Sequence, residues 1–501
     1  MSDIRVTYSG LISFVIGFVS LFTGLIFTLI VVRQLSQEEF GTWSLLGGMI
    51  SYVLIFGPIV SYWTTREIAR NENSGSTAII TSGMFSVISI IIFILISIIV
   101  SDTVGIDKQV LILASILVPL ELIRNVLLGI SHGFKPQLGE YGLLVFELTK
   151  IPMALILVYY FHMGLEGVIF SVAIAYIPSI VLIGIKSREH LVGKFQIKYL
   201  KKWLKLSWLP IYPNLVNIIT ELDVLIFTTI TGSVNGLAFW GSAKSISVIV
   251  GQSRRISKAV YPKLLAEGNK EIFQENLLRV FYFAFPLIIM SMVFSKPALF
   301  ALNPLYQEAY LVVIIYSPVI FLRIIGNVFE QALSGIEKVD KEEKSTFKDY
   351  LKSNLFKLPT LRIIQRVGYI VSLIIILLLI SEKNTELELV EFWAIIALIT
   401  QIPHTIYLYI LAKKSLQVKI NPKILLKYIG TSIFVFVAVH YSMEKFLEYN
   451  ESIFEFLPQL LFFVGIGLTG YLGITFLIDL KTRKLFLSIK NELINRGQKN
   501  E

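Results

Sequence analysis

Cysteine is absent from all 501 residues, which excludes disulfides, thiolate nucleophiles and cysteine metal sites. Histidine is nearly absent. The five present (His132, His162, His190, His404 and His440) are scattered, and none makes the H-x-x-x-H spacing that sets two imidazoles on one helix face. Charge is scarce as well: Asp, Glu, Lys and Arg supply 16% of the chain, where a soluble domain carries about a quarter. There is no G-x-x-x-x-G-K-[ST] phosphate loop, so the chain carries no signature for ATP hydrolysis. One dinucleotide fingerprint matches on paper, Gly465-Ile466-Gly467-Leu468-Thr469-Gly470, but it lies inside an apolar run with no strand before it. Small residues that let helices approach closely are the better reading. No cofactor and no catalytic step are called for.

Hydrophobicity is what the chain has in excess. Hydrophobic residues make up 55% and the mean hydropathy is +0.72, so lipid is the main solvent. Apolar runs recur along the whole length, each near the roughly 20 helical residues needed to cross a hydrocarbon core. They fall near 9–32, 42–63, 78–100, 109–131, 141–161, 165–185, 206–230, 237–257, 278–295, 308–336, 361–381, 391–412, 425–443 and 456–478. The alternation of a membrane barrel is missing. The first run is too long for a cleavable signal and leads into Arg33-Gln34-Leu35-Ser36 rather than a small-residue cleavage site. The expected class is an all-α polytopic membrane protein with about fourteen transmembrane helices.

The net charge of +10 would suit a nucleic-acid partner only if the basic residues were clustered for one. They are distributed by side instead. Alternate segments beginning at the N-terminus (1–8, 64–77, 132–140, 186–205, 253–277, 337–360, 413–424 and 479–501) hold 32 Lys and Arg, whereas the intervening ones (33–41, 101–108, 162–164, 231–236, 296–307, 382–390 and 441–455) hold 5. A span missed or invented midway would erase this bias. The basic set is therefore expected in the cytoplasm, with both termini there, in a plasma membrane, where these residues act as topology signals and anionic-headgroup contacts. Asn450-Glu451-Ser452 is a glycosylation sequon on the opposite side.

The chain reads as doubled. Residues 1–185 form an N-terminal six-helix lobe and 206–412 a second, pseudo-symmetric one, joined by the basic linker 186–205; 413–478 adds helices 13 and 14, and 479–501 is a basic tail. Parallel repeats of this kind are a recurring plan for secondary transporters. Glu39-Phe40-Gly41-Thr42-Trp43-Ser44 stands between the first two spans, and Gly236-Leu237-Ala238-Phe239-Trp240-Gly241 at the same place in the pair that opens the second half.

Polar stripes mark the first pair of spans in each half. Span seven carries Pro210, Pro213, Asn214, Asn217, Glu221 and Thr228, and span eight Lys244, Ser247, Gly251, Arg254, Arg255 and Lys258. Span one offers Ser13, Gly17, Ser20, Gly24 and Thr28, for which helix packing suffices; span two offers Ser44, Gly48, Ser51, Pro58, Tyr62 and Arg66. Deep charges are costly, about 2.5–3.5 kcal/mol each at a helix centre, so they face an interior or a cavity. The cations are Arg124, Lys150, Lys244 and Arg323; the anions are Glu121, Glu147, Glu221, Asp223 and Glu330. Glu121 with Arg124, and Glu147 with Lys150, have the i,i+3 spacing of an ion pair that serves structure alone. Lys244 and Arg323 have no acid at that spacing along their own helices.

Arg33-Gln34-Leu35, the stretch Glu39 to Ser44, Thr65-Arg66-Glu67-Ile68-Ala69-Arg70, then Asp223, the stretch Gly236 to Trp240, and Tyr261-Pro262-Lys263-Leu264 resemble polysaccharide-biosynthesis membrane proteins. These are the O-antigen-type flippases of the multidrug/oligosaccharidyl-lipid/polysaccharide (MOP) exporter superfamily. A charged loop at 337–360 and the two deep acid–base pairs depart from that pattern. The resemblance implies two six-helix lobes around a cavity that opens alternately to each side. It implies a lipid-linked oligosaccharide as cargo, moved to the outer leaflet, with membrane lipids and glycan-assembly proteins as partners and no nucleic acid. A phosphate or pyrophosphate linkage calls for cations. Lys244, Arg66 and Arg254 are the first candidates to hold it, then Arg124, Lys150 and Arg323, with Glu221, Asp223, Asn214 and Asn217 as polar or coupling-ion groups. An ion gradient, the membrane potential or consumption of the product would each supply the free energy. A multidrug exporter on the same fold is the rival within transport, favouring an acid-rich cavity. A membrane polysaccharide polymerase or ligase would need a large external loop, and a purely structural membrane partner would not need deep charges.

Overall fold

Within hydrocarbon every backbone N–H and C=O must be satisfied inside its own segment, which leaves the helix as the local solution for an apolar run. The computed structural model describes residues 6–254, 270–335, 351–417, 421–480 and 482–483, and their long elements are all helices. Twelve are long and apolar enough to cross a membrane. They are α2 (Gln37–Ala69), α3 (Gly75–Val104), α4 (Lys108–Phe134), α5 (Gln137–Tyr160), α6 (Gly164–Lys186), α7 (Trp208–Thr231), α9 (Phe273–Val293), α10 (Pro304–Ser334), α11 (Asn354–Ile380), α12 (Glu386–Leu416), α13 (Pro422–Phe446) and α14 (Ile453–Ile478). Each coincides with an expected span. The remaining two spans are also helical: α1 runs Val6–Gln34, and α8 runs Asn235–Ser247 and continues as a 3₁₀ turn through Gln252. Among the described residues fourteen helices thus correspond to the expected spans, with 255–257 of the eighth run outside them.

The helices are inside-out relative to soluble ones. In α3, Ser82, Ser86, Ser89 and Ser97 are buried while Met84, Val87, Ile91, Leu95 and Ile99 are more than half exposed. Ser89 donates to the Val53 carbonyl at 2.8 Å. In α11, Arg366, Tyr369 and Leu373 are buried while Ile364, Ile375 and Leu378 are bare. Apolar stripes this long suit lipid and not water.

α11 starts earlier than its apolar run suggests, at Asn354, so 354–360 of the charged segment 337–360 is helical; 336–350 lies outside the described residues. Tertiary contact draws the extra turns into the helix. Phe356 stacks on Tyr212 of α7 at 5.3 Å, and the hydroxyls of Thr360 and Tyr212 hydrogen-bond.

The chain divides into two compact units: Met1–Ser245 with Glu337–His404, and Ile246–Ile336 with Thr405–Glu501. In the first, α2, α3 and α4 pack around Ile59, Val60, Trp63, Val126, Ile130 and Trp203. In the second, α9, α13 and α14 pack around Met290, Phe294, Phe436 and Phe456. There Gly467 admits the Phe436 ring where a Cβ would come within 2.5 Å, which is the close-approach reading of the glycine run. Asp479, just past α14, accepts from the Thr482 backbone N–H at 3.0 Å and from the Tyr428 hydroxyl at 3.2 Å, tying the last two helices together.

Loop contacts fall into two sets. In the first unit 33–41 touches 162–164 and 231–236, and 64–77 touches 132–140 and 186–205. In the second, Phe300 meets Tyr449, and the Gln274 side chain donates to Gln417. No contact among these crosses between the two sets that the Lys and Arg count separates.

Candidate functional site

The motif at the start of α2 is an end-to-end clamp. Ser36 accepts the Glu39 N–H at 3.2 Å, and the Ser36 N–H donates to the Glu39 carboxylate at 2.9 Å, a capping box. The other Glu39 oxygen accepts the Leu165 N–H at 3.1 Å and lies against Gly164, whose φ of +54° suits glycine. Gly41 lets the Val234 carbonyl touch the helix where any side chain would collide. Gly241 abuts Ser44 and Phe40, so the paired motifs of the two sequence halves lie against each other. Lys244 follows one turn on, half-buried.

The other end of α2 is clamped to the linker. Thr65 donates to the Gly129 carbonyl of α4 at 2.7 Å. Glu67 is 1% exposed; it accepts the Trp203 indole N–H at 3.2 Å on both oxygens and pairs with the Lys202 ammonium at 2.9 Å. Trp203 belongs to a short helix, Ile197–Lys205, inside the basic linker. Burial, and after it the nearby Glu72 carboxylate, push the Tyr199 hydroxyl of that helix up from the usual range. Asn73 donates to the Val192 carbonyl at 2.7 Å, and Gly75 admits the His190 carbonyl. Arg66, a first-rank cation candidate, sits beside this clamp, exposed, with its guanidinium 4.2 Å from the Tyr62 ring.

Both deep acid–base pairs lie in one polar core among α1, α4, α5 and α6. Glu147 and Lys150 are buried and paired at 2.8 Å; Thr23 of α1 donates to Glu147 at 3.1 Å. Glu121 lies beside Tyr176 and in the field of Arg124. The two pairs meet at Phe146, with the Lys150 ammonium 5.0 Å and the Arg124 guanidinium 5.2 Å from its ring. Arg124 Nε is buried without a hydrogen-bond partner. Such mutual neutralisation lets four charges persist inside a membrane domain.

On α7, Asn214 donates back to the Pro210 carbonyl at 2.7 Å, and Asn217 is exposed. Glu221 is half-buried, and its carbonyl accepts from Tyr52 of α2. Asp223, two residues on, is buried and accepts from Tyr369 of α11 at 2.7 Å, whose hydroxyl in turn accepts from Trp393 of α12. Trp393 stacks on Trp240 of the second motif at 4.1 Å. In the second unit, Arg323 reaches the Tyr316 hydroxyl at 3.0 Å and Arg254 is exposed. Glu67 and Arg366 are buried charges absent from the candidates drawn from sequence. Glu67 lies beyond the apolar run 42–63, and Arg366 lies five residues into the run 361–381 but near the middle of the longer helix Asn354–Ile380.

No protein-family model and no curated protein sequence matches the chain. Solved structures do. Lipid II flippase MurJ, in an inward closed conformation, superposes with a TM-score of 0.67 at 15% identity over 95% of this chain and 99% of that one. A multidrug resistance MATE family transporter of the MOP superfamily, inward-facing, gives 0.60 at 15% identity over 79% of this chain and 95% of that one. The chain has the MOP transporter fold. A third such structure, a MOP superfamily transporter from Pyrococcus furiosus whose reversed binding-pocket polarity suggests a different function, gives 0.53 at 14% identity over 83% and 96%. That fold is common to these neighbours whatever each one moves.

Proposed function

We propose that the chain is a flippase that carries a lipid-linked oligosaccharide, through its anionic phosphate or pyrophosphate, from the cytoplasmic to the outer leaflet by alternating access. The observation that carries this reading is the extent of the likeness to a lipid II flippase, 95% of this chain. Deep cations add to it. A polyprenyl-type tail can stay in lipid while a hydrated cavity holds the head, so the protein has to supply only countercharge and polar contacts. Lys244, Arg66 and Arg254 are assigned to the phosphate, Arg124, Lys150 and Arg323 to secondary contacts, and Glu221, Asp223, Asn214 and Asn217 to the polar lining or a coupling ion. Lys244 stands first among the cations assigned to the phosphate and is the first residue to test. The halves 1–185 and 206–412 act as the two lobes, and no bond is made or broken in the cargo.

The test is a charge series at Lys244. Membrane expression and surface glycan are measured for Lys244→Ala, Lys244→Glu and Lys244→Arg. The reading expects normal membrane levels throughout, loss of glycan with Ala and Glu, and partial recovery with Arg. Glycan at the parental level in Lys244→Ala, with drug resistance altered instead, would favour the multidrug-exporter reading that the MATE neighbours keep open.

A further inference from the structure

The linker has three faces, of which the clamp uses one. At 100° per residue, Tyr199 and Trp203 share one side of the helix Ile197–Lys205 and are buried on α2 and α3. Ile197, Leu200 and Leu204 share a second side, with Ile197 53% and Leu204 49% exposed. Lys198, Lys201 and Lys205 share the third, all exposed. The flanks continue the pattern: Val192, Phe195 and Trp208 are exposed apolar residues beside Lys194.

Where this helix sits decides what its free faces meet. It docks on the last turn of α2 and the first turn of α3, between the end of α6 at Lys186 and the start of α7 at Trp208. That is the level at which spans leave hydrocarbon. A helix held there with one bare apolar flank and one basic flank matches an interfacial amphipathic helix, with an aromatic at the headgroup level. Segment 186–205 holds seven basic residues against one acid, Glu189. Its net excess of six is far above that of the other basic loops of the first unit, where the six lysines of 337–360 stand among five acids. Headgroups are the complement in reach, since anionic lipids concentrate where polybasic juxtamembrane segments lie.

We propose that the linker is a binding surface for anionic phospholipid headgroups, with Lys198, Lys201 and Lys205 holding the phosphates and Ile197, Leu200 and Leu204 entering the acyl boundary. Glu67 and Trp203 hold the helix at the depth where both happen. The inference is independent of what the chain transports.

The test uses the full chain reconstituted in mixed phosphatidylcholine and phosphatidylglycerol bilayers. Spin-labelled versions of the two lipids report the relative association constant at the protein. The parental chain should prefer phosphatidylglycerol, and added salt should weaken the preference. K198Q/K201Q/K205Q should lower it at least about fivefold, the change that one lysine at a membrane surface supplies. K198R/K201R/K205R should retain it, which separates loss of charge from loss of fold. A cytoplasmic reporter at the linker should read the same in both variants if the remaining basic residues fix the topology. An unchanged lipid preference in the glutamine variant would overturn the proposal, as would its loss in the arginine variant.

Discussion

At the scale of single residues, Glu67 shows how burial reassigns a charge. In sequence it is one acid in Thr65-Arg66-Glu67-Ile68-Ala69-Arg70, beside an arginine that looks the more functional. In the structure Arg66 lies exposed over Tyr62, while Glu67 is buried against Trp203. The Trp203 indole is fully buried, whereas the Lys202 side chain is 40% exposed. Glu67→Ala, which leaves that indole N–H without an acceptor, should therefore cost about 1–3 kcal/mol. Lys202→Ala should cost less, under about 1 kcal/mol, since an ammonium 40% exposed makes only a screened pair and the indole bond to Glu67 remains. Thermal unfolding of the purified chain in detergent compares the two, and equal losses would refute the indole as the main partner. No sequence signal separates these residues, because only the fold brings position 203 to position 67.

At the scale of elements, the helices were legible and their sides were not. Twelve apolar runs became twelve spans because length and hydropathy alone fix whether a segment can cross hydrocarbon. Which face of each looks inward depends on neighbours. α3 has little amphipathic signal in its sequence, yet it buries serines and bares isoleucines, since small hydroxyl residues let α2 and α4 approach and bond to backbone carbonyls. The two faces should respond oppositely to one change. Ile91→Lys, on the bare face mid-helix, should weaken membrane insertion by about 2.5–3.5 kcal/mol. Ser89→Leu should insert as well as the parent or better, and instead lower the melting temperature by forcing α3 away from Val53. A glycosylation-based insertion assay read beside a detergent melt tests the contrast, which fails if both changes move the same readout. The early start of α11 has the same origin: Phe356 and Thr360 are helical because Tyr212 is there to receive them.

At the scale of the whole molecule, the distribution of Lys and Arg predicts the topology. Reporters fused after Lys202, and after Lys348 and Lys499 in segments outside the described residues, should be cytoplasmic, and those placed in 231–236 and 441–455 external. A cytoplasmic signal from 441–455 would break the fourteen-span plan. Sequence alone determined the membrane class and the helices able to span, because hydropathy acts through solvent and membrane rather than through partners. It also marked Glu147 with Lys150 as a pair, since i,i+3 neighbours are local. Only the tertiary structure decided that both deep pairs meet at Phe146, that Asp223 is bound to Tyr369, and that the linker hangs from Glu67. Those contacts join residues far apart in the chain, and distance in space across many helices is a quantity that no local pattern of side chains encodes.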